Sequence, residues 1–583
     1  MTTRLNSHAL LALLATLLLH GGTPPESPVA DAAMRGDAAE VEALLRNGAD
    51  VNAAQGDGMT ALHWAAELGD VEMAEVVLAA GANPAALTRL GDYTPLHAAA
   101  KSGSDGVARA LLRAGADAEA RTSTGGATPL HLAAGAGHFA VVEALVAHGV
   151  EVDAQEPMWL QTPLMFASAS GHTPVVRALL AAGADPAVTA RVLDMDAREQ
   201  QDRADRRRQE EAQARIRAAL EGAPAPRGGQ GGGGRPATED LNNQQRDRVP
   251  SSRYSHAQLV GGYGGLAPLH LAVREGHAST AMALLEGGAD IDQPSAGDAT
   301  TPLLMATING NFDLAMELLE RGADPSLASD ANATALYTVI NTQWIPKARH
   351  PQPANYMQQQ VTYVDLVRAL LDAGVDPNVR LTKQLWFTTF GDDYLRVDRM
   401  GATPFWRAAY ALDLPLMKLL IEYGADPDIP TLKTASQRGR GGSSEEGSDP
   451  SGLPPVPVGG PGAYAIHAAS GIGYGEGFAA NIHRVVPDGW MPAVRYLVEE
   501  LGADVNLRDH NGYTPLHHAA ARGDDEMIRY LVEKGADVKA VARTGQTTVD
   551  MANGPVERIS PFPSTIALLE SLGAVNNHRC VSC

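Results

Sequence analysis

Residues 512–538 read GYTPLHHAAARGDDEMIRYLVEKGADV. Thr514 suits a helix cap, Pro515 fits the first turn without needing an N–H partner, and Leu516 opens the buried face. Ala519 and Ala520 are small enough for a neighbouring helix to approach, and Gly523 takes the positive φ that ends a helix. Met527, Ile528, Tyr530, Leu531 and Val532 then give a second helix one apolar face, which Gly535 stops before an extended return. A unit this small cannot bury its own apolar surface, so it must stack on copies of itself.

The copies are present. Thr60-Ala61-Leu62-His63, Thr94-Pro95-Leu96-His97 and Thr128-Pro129-Leu130-His131 open units spaced 34 residues apart. A whole unit recurring at that period resembles the ankyrin repeat, with its T-P-L-H-x-A start and G-A-D-V-N end. The resemblance implies an all-α ankyrin-repeat solenoid of stacked helix-turn-helix units with short β-hairpin fingers. The terminal glycines Gly48, Gly81, Gly115, Gly149, Gly183, Gly288, Gly322, Gly374, Gly424, Gly502, Gly535 and Gly573 mark twelve candidate repeats. The first lacks the Thr-Pro start and the last carries Ser560-Pro561-Phe562-Pro563 between its helices, as capping units do.

The chain of 583 residues has a net charge of −22, which argues against a nucleic-acid partner because phosphate binding needs a basic footprint. Residues 1–22 read as a signal peptide, with Arg4 ahead of an apolar core from Ala9 to Leu19 that is too short to span a membrane in the mature chain. The expectation is an exported protein, periplasmic or extracellular. With cysteine only at positions 580 and 583, the fold is not expected to rest on disulfides.

In order, residues 29–190 hold repeats 1–5, and residues 191–262 form a charged and Gly-rich insertion. Its charged part, from Asp194 to Leu220, reads as a solvated helix or as disordered. Residues 263–430 hold repeats 6–9, with insertions at 344–363 and 381–399; the second of these predicts a lengthened hairpin finger. Residues 431–462 are a Gly/Ser/Pro-rich linker that either splits the stack or loops out of a continuous one. Residues 463–577 hold repeats 10–12, and 578–583 a CxxC tail.

Candidate chemistry is sparse. His63, His97, His131, His270, His467 and His517 recur, but equivalent residues of stacked helices lie about 8–10 Å apart, too far to share a metal ion, so no metal site is expected. The family resemblance gives these histidines a hydrogen-bonding role in the turn. Gly229–Gly234 and Gly262–Ala267 fit a phosphate-cradling glycine pattern but lack the strand and βαβ context it needs. No serine elbow, H-E-x-x-H or P-loop is present, and neither enzyme activity nor a cofactor is expected. Cys580 and Cys583 read as a dithiol or local disulfide. They would be cofactor-binding only if a histidine followed, which would make the solenoid an arm of a c-type haem electron-transfer protein completed beyond Cys583.

The resemblance places partner binding on a concave face of fingers and first helices, and the partner as a protein or peptide. The positions just before the Thr and just after the Ala-Ala pair are then the candidates. They are Asp57, Met59, Glu67, Asp92, Tyr93, Lys101, Trp159, Gln161, Tyr263, Arg274, Glu275, Arg399, Met400, Tyr410, His510, Asn511, Tyr513 and Arg522. Aromatic and Arg side chains make the best anchors among them. Trp64 and Trp406 either face the groove or brace the helix pair. Oligomeric state is not legible.

Overall fold

The turn chemistry works as its residues dictate. In the third unit Thr94 Oγ1 accepts from the His97 N–H at 3.3 Å, Pro95 occupies the first helical turn, and Gly103 closes the helix at φ +81°. No side chain could replace that glycine cheaply: a Cβ there would lie 2.5 Å from Nδ1 of His138 in the next unit. At Gly535 the space is open and only φ, +94°, demands glycine.

The structure, a computed structural model, describes residues 27–220, 257, 260–345, 355–385, 395, 397–434, 449–474, 483–554 and 560–580. The chain divides into two compact units, Met1–Arg191 with Leu266–Asp290, and Val192–Gly265 with Ile291–Cys583. Among the described residues the first unit holds six helix pairs: Pro28–Met34 with Ala38–Arg46, Ala61–Leu68 with Val71–Ala79, Pro95–Ser102 with Asp105–Arg113, Pro129–Ala136 with Phe139–His148, Pro163–Ala169 with Thr173–Ala181, and Pro268–Arg274 with Ala278–Glu286. The second unit holds six more: Pro302–Asn309 with Phe312–Glu320, Ala335–Gln343 with Tyr363–Asp372, Pro404–Tyr410 with Leu414–Glu422, Ala465–Ser470 with Trp490–Arg495, Pro515–Arg522 with Asp525–Glu533, and Thr548–Ala552 with Pro563–Ser571. In each unit every first helix packs on the next first helix, so the core is a row of small interfaces lined by Leu and Ala. The fold is an all-α repeat solenoid.

The fingers are hairpin turns closed by backbone bonds, such as Thr88 N–H to Tyr93 O at 3.0 Å and Asp509 N–H to Tyr513 O at 3.0 Å. Successive fingers are laced together: Arg89 N–H donates to Asp57 O, Ser123 to Gly91, Arg191 to Trp159, and in the second unit Asp330 to Asp298, His510 to Gly462 and Arg543 to Asn511. The Asn that ends a repeat adds a clamp. Asn506 Nδ2 donates to Gly535 O at 2.9 Å, while its Oδ1 accepts from Asp537 N–H at 2.7 Å.

The insertions are handled differently from one another. Met195–Leu220 is one helix, and its side chains from 195 to 217 are mostly exposed. Flanking it, Val192–Asp194 pairs antiparallel with Gly262–Gly264, a two-stranded ribbon that the glycine-rich sequence does not announce. The pattern at Gly262–Ala267 is therefore a strand running into a helix; Gly229–Gly234 and residues 1–22 lie outside the described residues. The tip of the 381–399 insertion also lies outside them. Its described ends bring Leu381, Leu385, Leu395 and Val397 into one buried cluster with Tyr337, Trp406, Tyr410 and Ile472. Across 431–462 the stacking is unbroken: Pro404–Tyr410 packs on Ala465–Ser470, and Thr431 N–H donates to Ala463 O at 2.9 Å. Among the described residues no helix is long and apolar enough to cross a membrane.

Candidate functional site

The recurring histidine is an inter-repeat strut. His131 Nδ1 accepts from the Thr128 N–H at 3.2 Å, which puts the ring hydrogen on Nε2; Nε2 then donates to Gln161 O of the next repeat at 3.0 Å. His63 and His97 reach Tyr93 O and Ala127 O in the same way, and His467 reaches Leu507 O. Burial keeps these rings neutral: it pushes His131 and His467 down to about 4 and lowers His63 and His97. Trp406 stands at the same position and makes the same bond, Nε1–H to Ala463 O at 3.0 Å, so it braces the stack. Trp64, one position later in its own repeat, is half-exposed, with Nε1–H donating to Gln55 Oε1 at 2.8 Å.

A second set of struts escaped the sequence reading, although the dipeptide Gly-His at 137–138, 171–172 and 276–277 carries it. His138, His172 and His277 bond through Nε2 to Lys101 O, Gly135 O and Ala169 O of the preceding repeat. Together the two sets hold the first unit's helices and fingers in fixed register.

On that scaffold the first unit presents a row of half-exposed apolar groups, Trp64, Leu132 and Phe166, at equivalent positions on successive first helices. At the intervening position stands the small, buried Ala98. Tyr93, half-exposed, packs edge-on against His97. Trp159 is 42% exposed at a finger tip beside exposed Met158. That tip is held by a buried carboxylate: Glu156 accepts from the N–H groups of Met158, Trp159 and Gln161 at 2.6, 2.8 and 3.0 Å. Sequence patterning gave no sign of Glu156. Asp57, Glu67, Lys101 and Glu275 are exposed, while Met59, Asp92, Gln161 and Arg274 are half-exposed, so these candidates sit on accessible surface of the first unit.

In the second unit the candidates divide. Tyr263 is exposed on the ribbon strand, and Met400, His510 and Asn511 are half-exposed in laced fingers. Four others must be corrected, because they are structural. Tyr410, 3% exposed, is stacked between Trp406 and His483 with centroids 5.3 and 4.2 Å away. Tyr513 is buried with its hydroxyl donating to Gln546 Oε1, and Arg399 is buried. Arg522 pairs with Asp524 and lies over the Trp490 ring at 3.4 Å, its side chain almost wholly covered. None of the four is free surface for a partner. Cys580 is disulfide-bonded; the sequence's other cysteine, Cys583, lies outside the described residues.

The family model described as Ankyrin repeats (3 copies) matches residues 29–122, 96–190, 254–342 and 480–552, together more than half of the chain. Protein phosphatase 1 regulatory subunit 12A of Mus musculus is 36% identical over 87 residues, covering 15% of this chain and 8% of that protein. Protein phosphatase 1 regulatory subunit 27 of Mus musculus is 40% identical over 72 residues, 12% of this chain and 46% of that protein. BCL-6 corepressor-like protein 1 of Homo sapiens is 32% identical over 148 residues, 25% of this chain and 8% of that protein. The chain thus covers less than half the length of each of these relatives. By its recurring turns, its stacked helix pairs and these matches, the chain belongs to the ankyrin-repeat family.

Proposed function

We propose that this is a non-catalytic protein-interaction scaffold of twelve repeats, in which the first unit takes an extended segment of another protein along its finger-and-first-helix face. The observation that carries the reading is the half-exposed row Trp64, Leu132 and Phe166, with Trp159 set at a finger tip by buried Glu156. Large rings on a laced backbone give contact area with little left to order on binding. That two similar proteins are named as phosphatase regulatory subunits supports a role without catalysis of its own. The net charge of −22 supports a protein partner over nucleic acid.

Export is part of the same reading. Its support is the apolar N-terminal stretch and the disulfide at Cys580, which suits an oxidising compartment. Cell fractionation with N-terminal sequencing tests it: a cytosolic chain with an intact N-terminus ends that part of the proposal.

For the binding face, the full chain and a Trp64→Ala/Trp159→Ala variant are used to capture partners, with melting measured alongside. The expected result is at least a ten-fold loss of the captured partner with an unchanged melt, since each ring is half in water. Equal capture by both chains moves the site off this face.

A further inference from the structure

The linker between the ninth and tenth helix pairs does more than join them. Its residues from Asp449 to Pro461 lie against the finger tips of the second unit's last repeats. Residues 452–457 read GLPPVP and run without helix or strand. Prolines 454, 455 and 457 remove three N–H groups and hold φ near about −65°, so the stretch is ordered in advance and is read mainly through its carbonyls.

Two cationic side chains do that reading. Arg543 Nη1 donates to Leu453 O at 3.2 Å and Nη2 to Pro454 O at 2.6 Å, while Nη1 also meets the Asp449 carboxylate at 2.6 Å. The guanidinium is aimed by its own finger: Nε donates to His510 O at 3.1 Å, and the Arg543 backbone N–H donates to Asn511 O. Lys433 Nζ donates to Val456 O at 2.6 Å. The fingers themselves are bare where the segment crosses them. A Cβ on Gly512 would stand 3.2 Å from Leu453 Cδ1, and one on Gly545 would stand 3.4 Å from Pro450 Cγ. Leu453 and Val456 are half-buried, whereas Pro454, Pro455, Pro457 and Val458 face solvent.

These contacts are few and lie at the surface, where an ion pair contributes only about 0–1 kcal/mol. The segment stays because it is tethered: Gly459 N–H donates to Lys433 O at 2.7 Å and Lys433 N–H to Gly460 O at 2.8 Å, which fixes its end beside the fingers. Such a tether supplies an effective concentration on the order of millimolar. A contact of this kind is exchangeable, since an untethered segment of the same chemistry can replace it.

We propose that residues 449–458 are a built-in ligand. The fingers at 508–513 and 541–547 then form a docking site for an extended, proline-rich segment of another protein with an aspartate ahead of its Leu-Pro-Pro, and the chain's own segment guards that site. The site lies on the second unit and the proposed partner face on the first, so each reading can fail alone.

The probe is a fluorescein-labelled peptide with the sequence of residues 449–458, followed by anisotropy. The parent is compared with a full chain in which residues 449–457 are replaced by an equal length of Gly and Ser, leaving the pairing of 459–463 intact. The replaced chain should bind the peptide saturably and at least ten-fold more tightly than the parent, whose own segment competes. A peptide carrying Asp449→Asn with Leu453→Gly should bind at least ten-fold more weakly, because it loses both the charge for Arg543 and the side chain over Gly512. Leu453→Ala in the full chain keeps every backbone contact of the segment and should also bind the peptide more tightly than the parent. The proposal is overturned if neither altered chain binds the peptide saturably, if the parent binds it as tightly as they do, or if the doubly changed peptide binds as well. A replaced chain that melts far below the parent and takes up no peptide would show that the segment is only a structural brace.

Discussion

At the scale of single residues, the strut histidine explains both register and acid sensitivity. His131→Ala would leave the Thr128 N–H without its acceptor and Gln161 O with only the Glu156 N–H, and should lower the first unit's stability by about 1–3 kcal/mol in urea unfolding. The pH dependence follows from the sign of the shifts. Burial holds His467 near 4 and His517 and His483 near 3, below the ordinary 6.5 that the unfolded chain recovers. Between those values only the unfolded chain takes up the proton, so stability is full above pH ~6.5 and falls as pH drops toward 4. Three such rings predict a loss in the second unit of about 4 kcal/mol per pH unit below ~6, read from urea midpoints at pH 7, 6 and 5. Midpoints flat across that range would mean that these rings are charged when folded. Much of this was legible, since Thr-Pro-Leu-His fixes the turn wherever it occurs. What Trp406 does was not: only its packing shows that an indole N–H replaces the imidazole N–H.

At the scale of elements, the finger is where sequence reading ran out. The glycine spacing marked the repeats, but the carboxylate that shapes the Met158–Trp159 tip is a single Glu156 with no periodic signature. Glu156→Ala should free three backbone N–H groups, reduce partner capture as Trp159→Ala does, and lower the first unit's melting temperature by a few degrees. Unaltered capture would show that the tip's order is irrelevant to binding. Tyr410, Tyr513 and Arg522 occupy positions that face outward in regular repeats. Here Leu395, Val397, His483, Trp490 and the neighbouring finger residue Gln546 cover them. Contacts between inserted segments distant in sequence leave no trace in a repeat pattern. Trp406→Ala should therefore cost about 3–5 kcal/mol in the second unit, because the indole fills an interior that includes Leu381, Leu385, Leu395 and Val397 of the insertion. A cost below ~1 kcal/mol would mean that the insertion is only loosely seated.

At the scale of the molecule, each helix pair touches its neighbours within its unit and little else, so stability should be a sum of local terms. The linker at 431–462 does not interrupt this, since the same finger and helix contacts continue on both sides of it. Native-state hydrogen exchange on the full chain carrying Leu130→Ala, a fully buried residue of the fourth helix pair, tests the claim most directly. Protection should fall in Pro95–Ser102, Pro129–Ala136 and Pro163–Ala169 and stay at the parent's level in Pro515–Arg522 and Thr548–Ala552. An equal fall in all of these helices would show one cooperative globular core and contradict the account.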